Sequence, residues 1–163
     1  MRENILKEIT PLTKTDCFTM FTRTKRDFDF PVHYHEEIEL NFIQNAQGAR
    51  RMIGDHIEEI GEIELVLVGQ NLEHAWFGED TGREITEVTI QFDSDFFGEK
   101  FLHKNQLSFI RRMLEKSARG ILFSAPTARQ LAPRILGLSK KQGFDSVLEL
   151  MSILHDLSIS RNY

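Results

Sequence analysis

Short stretches of alternating hydrophobic and polar residues fill the first part of the chain. Between about residues 16 and 92 they recur at close spacing, as DCFTMF, EIELNFI, ARRMI, HIEEI, IELVLV, HAWF and ITEVTIQF. Glycines lie at or near the breaks between these stretches, at Gly48, Gly54, Gly61, Gly69, Gly78 and Gly82. Short strands joined by tight turns are typical of an antiparallel sandwich or a small barrel. We therefore predict a β-rich unit whose strands are linked mainly by hairpins.

After Phe92 the spacing of the hydrophobic residues lengthens to the helical period. The pair Ser94–Asp95 offers a candidate N-cap for a first helix. Two later stretches, QLSFIRRMLEKS and TARQLAPRILGL, each place their apolar side chains on one helical face, the second despite Pro133. These faces consist of Leu107, Ile110 and Leu114, and of Leu131, Ile135 and Leu138. The stretch GILFS between them is predicted as a short strand or an extended link.

A last helix is predicted from about Asp145, with apolar side chains at alternating steps of three and four residues. This seam consists of Val147, Leu150, Met151, Leu154 and Leu157. Burying such side chains contributes roughly 1.5–3 kcal/mol each, so the seam needs a partner, either its own barrel or another copy of the chain. We predict one structural domain, with a β-rich barrel or sandwich at residues 1–100 and, at residues 101–163, a helical segment that packs on it or on another copy of the chain.

Composition and charge limit the classes of function. The chain has 163 residues, of which 40% are hydrophobic and 28% charged, so it suits a folded domain rather than a disordered one. A formal charge of -5 gives no strong attraction to phosphate, so we expect no nucleic-acid or membrane binding by these residues alone. The single cysteine, Cys17, rules out an intrachain disulfide, and the opening MRENILKEITPL lacks the apolar run of a secretion signal. We expect a cytoplasmic protein.

The stretch FPVHYHEEIEL, Phe30 to Leu40, concentrates the candidate chemistry. In an unbroken strand from Val32, alternate residues would share a face. One face would then carry His33, His35, Glu37, Glu39 and Asn41, and the other would carry Tyr34, Ile38, Leu40 and Phe42. The apolar face needs cover, which the helical half can provide. The polar face must line a cavity or meet water, because burying it without partners is costly.

A further histidine, His74 in NLEHAW, opens another predicted strand and shares a face with Trp76. Three imidazoles and one carboxylate suit Fe(II), Mn, Ni or Zn with positions left open for a substrate. Three interpretations stay open: a metal site, the polar lining of a ligand pocket, and structural hydrogen bonding. The pocket is preferred, with no cofactor other than a candidate divalent metal on His33, His35, Glu39 and His74. The predicted pocket residues are His33, His35, Glu39, Asn41, His74 and Trp76.

The motif His33-Tyr34-His35 followed by Glu39, and then a Gly-bounded strand and His74, resembles the paired motifs of the cupin superfamily. More specifically, HYHEEIELNFI, ELVLVGQNLEHAW and the closing LELMSILHDLSISRNY resemble the N-terminal sensor and dimerisation domain of AraC-family transcription regulators. This resemblance covers the chain from about residue 20 to its end.

The sequence departs from the motifs of metal-dependent cupins at two turns. Ala46 stands where a glycine is usual, and Gly69 and Asn71 stand where Pro and Gly are typical. Asn can adopt the left-handed conformation that such a turn requires.

The resemblance implies a mainly β fold, a cupin-like double-stranded β-helix barrel of jelly-roll type, followed by C-terminal helices. It implies a homodimer through the helical seam and a small-molecule effector such as a sugar or an organic acid. It also implies no enzyme activity, and DNA contact only through a helix-turn-helix domain outside these residues.

Two alternative functions stay open. One is a metal-dependent cupin enzyme, a dioxygenase, isomerase or decarboxylase using the three-His one-Glu site. The other is a stand-alone sugar-binding barrel.

Overall fold

Two five-stranded sheets and a layer of helices make up the protein, in a computed structural model that describes residues 5–80 and 82–160. Residues 1–4 and 161–163, at the ends of the predicted ranges, lie outside the described residues. The strands are β1 (Leu6–Lys7), β2 (Phe18–Lys25), β3 (His33–Tyr34), β4 (Ile38–Gln44), β5 (Arg50–Ile53), β6 (His56–Glu59), β7 (Ile63–Val68), β8 (His74–Phe77), β9 (Ile85–Phe92) and β10 (Ile121–Leu122). The helices are α1 (Glu99–Leu102), α2 (Ser108–Lys116), α3 (Ala125–Gly137) and α4 (Gly143–Ile159).

The strands form a first sheet in the order β1-β3-β8-β5-β6 and a second sheet in the order β10-β7-β4-β9-β2. The short pair β1 and β3 is parallel, whereas the other described pairs are antiparallel. At the centre of the second sheet, Leu40 of β4 lies opposite Leu67 of β7 and Ile90 of β9. The prediction of a mainly β, cupin-like fold followed by C-terminal helices is confirmed.

The alternation of β4, β7 and β9 gives the second sheet two different faces. On one face Leu40, Phe42 and Ile90 are fully buried and belong to the same core cluster as Ile135 of α3 and Leu154 of α4. The helical half therefore covers the apolar face of β4, as predicted. The other face turns toward the first sheet. A second, smaller core cluster lies there and contains Ile43, Val66 and Val68 together with Ile53 and Trp76 of the first sheet.

The helical half contributes a strand, β10, to the second sheet. Within GILFS, Ile121 of β10 pairs with Leu67, so this stretch is a strand rather than a link. Ser124 caps α3, because its hydroxyl accepts a hydrogen bond from the backbone N–H of Thr127 at 3.3 Å. The predicted cap at Ser94–Asp95 is wrong. Those residues form a turn closed by Gly98 N–H donating to the Asp95 carbonyl, and α1 begins only at Glu99. Among the described helices, none is long and apolar enough to cross a membrane.

The prediction of an unbroken strand from Val32 is wrong. The chain leaves the first sheet after Tyr34 and enters the second at Ile38, so residues 35–37 form a corner. The backbone N–H of Asn71 donates to the His35 carbonyl at 2.8 Å, which removes that carbonyl from any continuous ladder. Asn71 has φ 57, the left-handed conformation expected at this turn. The corner places His33 and Glu39 on different sheets and leaves Glu37 half-buried.

The predicted dimer seam is mostly intramolecular core. Leu150, Leu154 and Leu157 have no exposed surface in the single chain, because α4 presents them to the cluster formed with the other helices and the second sheet. They are therefore wrong as interface residues. Val147 and Met151 are half-buried at the border of this face. The outward side of α4 instead exposes a different apolar set, Phe144, Leu148 and Ile159.

Gly69 joins the end of β7 to the helical half at very close range. Its backbone N–H donates to the Ser117 carbonyl at 2.8 Å, and a Cβ built on it would lie 2.4 Å from that oxygen. We predict that Gly69→Ala lowers the free energy of unfolding by about 1–3 kcal/mol, because backbone atoms must move apart. Gly61→Ala is the matched control, since its Cβ would meet nothing within 4 Å. Urea denaturation of both variants checks this, and equal stabilities would contradict the close contact.

Candidate functional site

Three buried histidines meet where the first sheet faces β4. His33 of β3 pairs directly with His74 of β8, and His35 lies in the corner that follows β3. One ring nitrogen from each of the three lies within 4.8 Å of the other two. Glu39, from β4 on the second sheet, completes the group and is 3% exposed. The structure thus brings together all four residues of the predicted metal set.

Each imidazole is held through its Nδ1 atom by a backbone carbonyl. The distances are 2.8 Å from His33 to the Pro31 oxygen, 3.0 Å from His35 to the Glu37 oxygen and 2.7 Å from His74 to the Leu72 oxygen. An Nδ1–H that donates to a carbonyl leaves the Nε2 of a neutral ring as the atom with a free lone pair. Carbonyl anchoring of this kind orients the histidines of metal sites. Nε2 is therefore the ring atom that each histidine presents to the site.

Glu39 contacts two of these Nε2 atoms with its two carboxylate oxygens. Oε1 lies 3.0 Å from His35 Nε2, and Oε2 lies 3.5 Å from His74 Nε2. The amide of Gln91 also donates to Oε1 at 3.2 Å. Burial alone would raise the pKa of Glu39, but the charge of His74 and the hydrogen bond from His35 hold it well below its usual range. Glu39 is thus ionised inside the protein.

Protons are distributed unequally over two of the imidazoles. Burial opposes the charge on His35, but the hydrogen bond and charge of Glu39 and the charge of Glu8 raise its pKa. Burial and the neighbouring His74 lower the pKa of His33 to about 4. At neutral pH His33 is therefore neutral, whereas the carboxylates beside His35 favour its protonated form.

Three buried polar atoms at this site have no hydrogen-bond partner among the described residues. They are His74 Nε2, Glu8 Oε2 and Gln91 Oε1. A buried polar atom left unpaired costs roughly 1–3 kcal/mol, so native proteins seldom retain one without a use for it. Of these, His74 Nε2 lies 3.5 Å from Glu39 Oε2, and Glu8 Oε2 lies 3.8 Å from His35 Nε2.

A cavity of about 350 Å³ opens beside this cluster. Of the six predicted pocket residues, four line it, namely His33, Glu39, Asn41 and Trp76. The other two, His35 and His74, contact Glu39 but are not part of the lining. The remaining lining residues are Glu8, Phe21, Arg23, Lys25, Phe28, Asp29, Phe30, Glu87, Thr89 and Gln91.

Hydrogen bonds fix the polar side chains of the cavity. Asn41 donates to Glu87 Oε2 at 3.0 Å and accepts from the Thr89 hydroxyl at 2.7 Å. Lys25 Nζ lies 2.8 Å from Glu87 Oε1. The indole N–H of Trp76 donates to Glu64 Oε2 at 2.7 Å, which holds the ring against the cavity. The cavity therefore presents fixed donors and acceptors next to aromatic surface.

Most of the missed lining residues carry a signal that was available in the sequence. In ITEVTIQF, Glu87, Thr89 and Gln91 alternate with the buried Val88 and Ile90, as Asn41 does on β4. Phe21, Arg23 and Lys25 are alternate residues of β2 and so share one face, and Arg23 lies opposite Glu87 of β9 in the strand register. Glu8 carries no such signal, because β1 has only two residues.

Comparisons with known proteins find the fold but no sequence family. No protein-family model and no curated protein matches the chain. A structure of ToxT from Vibrio cholerae O395, bound to (E)-4-(8-methylnaphthalen-1-yl)but-3-enoic acid, is similar with TM-score 0.55 and 14% identity over 85% of this chain and 54% of ToxT. Apo ToxT of a variant from Vibrio cholerae strain SCE256 is similar with TM-score 0.54 and 12% identity over 88% of this chain and 55% of ToxT.

The chain thus spans about half the length of the ToxT structures. ToxT is an AraC-family regulator with a cupin-like β-barrel in its N-terminal part. At this identity the likeness shows a shared fold, and it is the fold that the motifs around His33 and His74 led us to expect.

Proposed function

We propose that this chain is the effector-binding and dimerising part of an AraC-type bacterial transcription regulator, acting in the cytoplasm. The observation that carries the proposal is the cavity of about 350 Å³ lined by fixed polar and aromatic side chains. Its volume falls in the range of small-molecule sites. The shared fold with ToxT supports it, since ToxT is seen with a small carboxylic acid bound. DNA contact would come from a helix-turn-helix part of the whole regulator.

The two faces of β4 and β9 supply a route from the cavity to the helices. Asn41 and Thr89 face the cavity, whereas their neighbours Leu40 and Ile90 pack with the helices in the main core. A ligand that rearranges the hydrogen bonds of Asn41 therefore displaces strands on which the helices rest. Differential affinity for two such arrangements is the thermodynamic requirement for a sensor.

The lining favours a small polar effector, a sugar or an organic acid. Glu87 and Asn41 accept and donate hydrogen bonds, as hydroxyl groups require. Arg23, whose guanidinium lies 5.0 Å from the centre of the Phe21 ring, supplies a cation for a carboxylate. Trp76 and Phe28 give apolar surface for the body of the ligand.

Trp76 provides a direct test of effector binding, because it is the single tryptophan of the sequence and lines the cavity. We predict that sugars or organic acids that bind will change its fluorescence. Thr89→Val removes the hydroxyl that holds Asn41 and should weaken binding about 2- to 10-fold, the value of one hydrogen bond.

Thr86→Val on the same strand is the control, since Thr86 does not line the cavity. Equal weakening by both variants, or no response to either class of compound, would contradict binding in this cavity.

A homodimer is the second part of this proposal. Because the inner seam of α4 is core, the outward stripe of the helix is the surface available to a second copy. Phe144, Leu148 and Ile159 are 70%, 48% and 51% exposed and share one side of the helix with Met151 and His155. An apolar stripe along one helix is self-complementary about a two-fold axis.

We predict that Leu148→Glu shifts the chain from dimer to monomer, because it places a charge in the centre of this stripe. Leu148 is half-exposed, so the fold should be retained. Sedimentation equilibrium measures the mass, with Arg129→Glu on the exposed side of α3 as the control. A monomeric wild-type chain, or a dimer unaffected by Leu148→Glu, would remove α4 from the interface.

We also propose that His33, His35, Glu39 and His74 hold a divalent metal ion. The support is the unpaired Nε2 of His74, the carbonyl anchoring of all three rings and the ionised carboxylate of Glu39. Such an ion would supply a coordination site for a polar atom of the effector. The same set would serve the alternative function, a metal-dependent cupin enzyme, and the cavity beside Glu39 would then hold its substrate.

Untagged protein purified without chelator should contain about one equivalent of a transition metal by elemental mass spectrometry. His74→Ala removes an inward nitrogen and should reduce the content several-fold. His56→Ala is the control, because His56 is exposed on β6. The same low metal content in all three proteins would contradict the metal site and leave the histidines as structural pocket residues.

A further inference from the structure

Glu8, which directly follows β1 in the segment of residues 5–10, reaches the histidine cluster. Its Oε2 lies 3.8 Å from His35 Nε2 and 4.0 Å from His33 Nε2. The same oxygen is buried and has no hydrogen-bond partner among the described residues. Glu8 therefore faces the inward nitrogens of His33 and His35, whereas Glu39 contacts those of His35 and His74.

The segment that carries Glu8 is held on the protein by few other contacts. Leu6 N–H donates to the Val32 carbonyl at 2.9 Å, and Glu8 N–H donates to the Tyr34 carbonyl at 2.8 Å. Leu6 is 44% exposed and Ile9 is 93% exposed, so the segment buries little apolar surface. The pair between Lys7 and Glu36, at 3.8 Å, is exposed and contributes little.

The charges of the cluster suit a fifth ligand. In a metal-bound cluster Glu8 and Glu39 would carry two negative charges and the three imidazoles would be neutral, so a divalent cation would balance the set. Three nitrogens and two carboxylate oxygens are a donor set for six-coordinate Mn, Fe, Co or Ni, with one position left open. The distances of 3.8 and 4.0 Å from Glu8 to the two imidazoles are longer than hydrogen bonds and leave space between them.

We propose that Glu8 is a ligand of the metal held by His33, His35, Glu39 and His74, and that metal binding thereby fixes residues 5–10 on β3. This inference rests on the metal site proposed above. Glu8 also lines the cavity, so the docked segment forms part of its wall. Metal occupancy would then control how completely the cavity is closed.

The test uses Ni²⁺ as the probe on untagged wild-type protein, Glu8→Gln and Lys7→Gln. Affinity is measured by competition with a chromogenic chelator, and docking by hydrogen exchange of the backbone amides of residues 5–10. We expect Ni²⁺ to slow exchange of the Leu6 and Glu8 amides in the wild type. Glu8→Gln should bind Ni²⁺ at least about tenfold more weakly and lose this slowing. Lys7→Gln should behave as the wild type, because the neighbouring Lys7 is exposed and pairs with Glu36.

The outcomes separate this inference from the proposals on which it depends. Equal affinity and equal slowing in the wild type and Glu8→Gln would overturn the role of Glu8 while the metal site stands. Weaker binding by Glu8→Gln without any slowing in the wild type would overturn the docking of the segment. Failure of every protein to bind Ni²⁺ would overturn the metal site and the role of Glu8 together. Effector binding is read independently from the fluorescence of Trp76.

Discussion

The buried carboxylate of Glu39 is the interaction on which the arrangement of the site depends. It extends from β4 in the second sheet, and its oxygens lie 3.0 Å and 3.5 Å from imidazoles supplied by the corner and by the first sheet. An ionised carboxylate is very costly to bury unless it is paired and hydrogen-bonded. The histidines, the Gln91 amide and the carbonyls that orient the rings are therefore a single polar unit. This unit fixes the separation of the two sheets at one end of the space between them.

The alternation of side chains made most of the fold predictable from the sequence. Each of the seven predicted β stretches contains a strand, because the polar and apolar residues of β4, β7 and β9 face different layers of the protein. The corner at residues 35–37 was not predictable in this way. It depends on a hydrogen bond between Asn71 and His35, which are far apart in the chain. A local pattern carries no information about such a contact.

The helical seam shows a different limit of periodicity. The spacing of Leu150, Leu154 and Leu157 indicates a buried face but does not distinguish the protein's own core from a second copy. In this protein the leucines pack within the chain, against the cluster that includes the apolar face of the second sheet.

The candidate site shows a third limit of sequence-based prediction. His33, His35, Glu39 and His74 were identified from residue type and motif, whereas Glu8 follows the two-residue strand β1 and belongs to no recurring pattern.

The proposed effector binding and the proposed metal binding would use the same side chains, so the two would be thermodynamically linked. Glu39 lines the cavity and also contacts His35 and His74, and Glu8 lines the cavity and faces the cluster. A cation at the cluster would draw both carboxylates toward it and so change the charge that an effector meets. Linkage requires the reciprocal effect, in which an effector that interacts differently with the two states alters the affinity for the metal by the same factor. An anionic effector would be favoured by the cation, because the two carboxylates would otherwise repel it. The preference for a sugar or an organic acid would therefore be coupled to whether the cluster holds a cation.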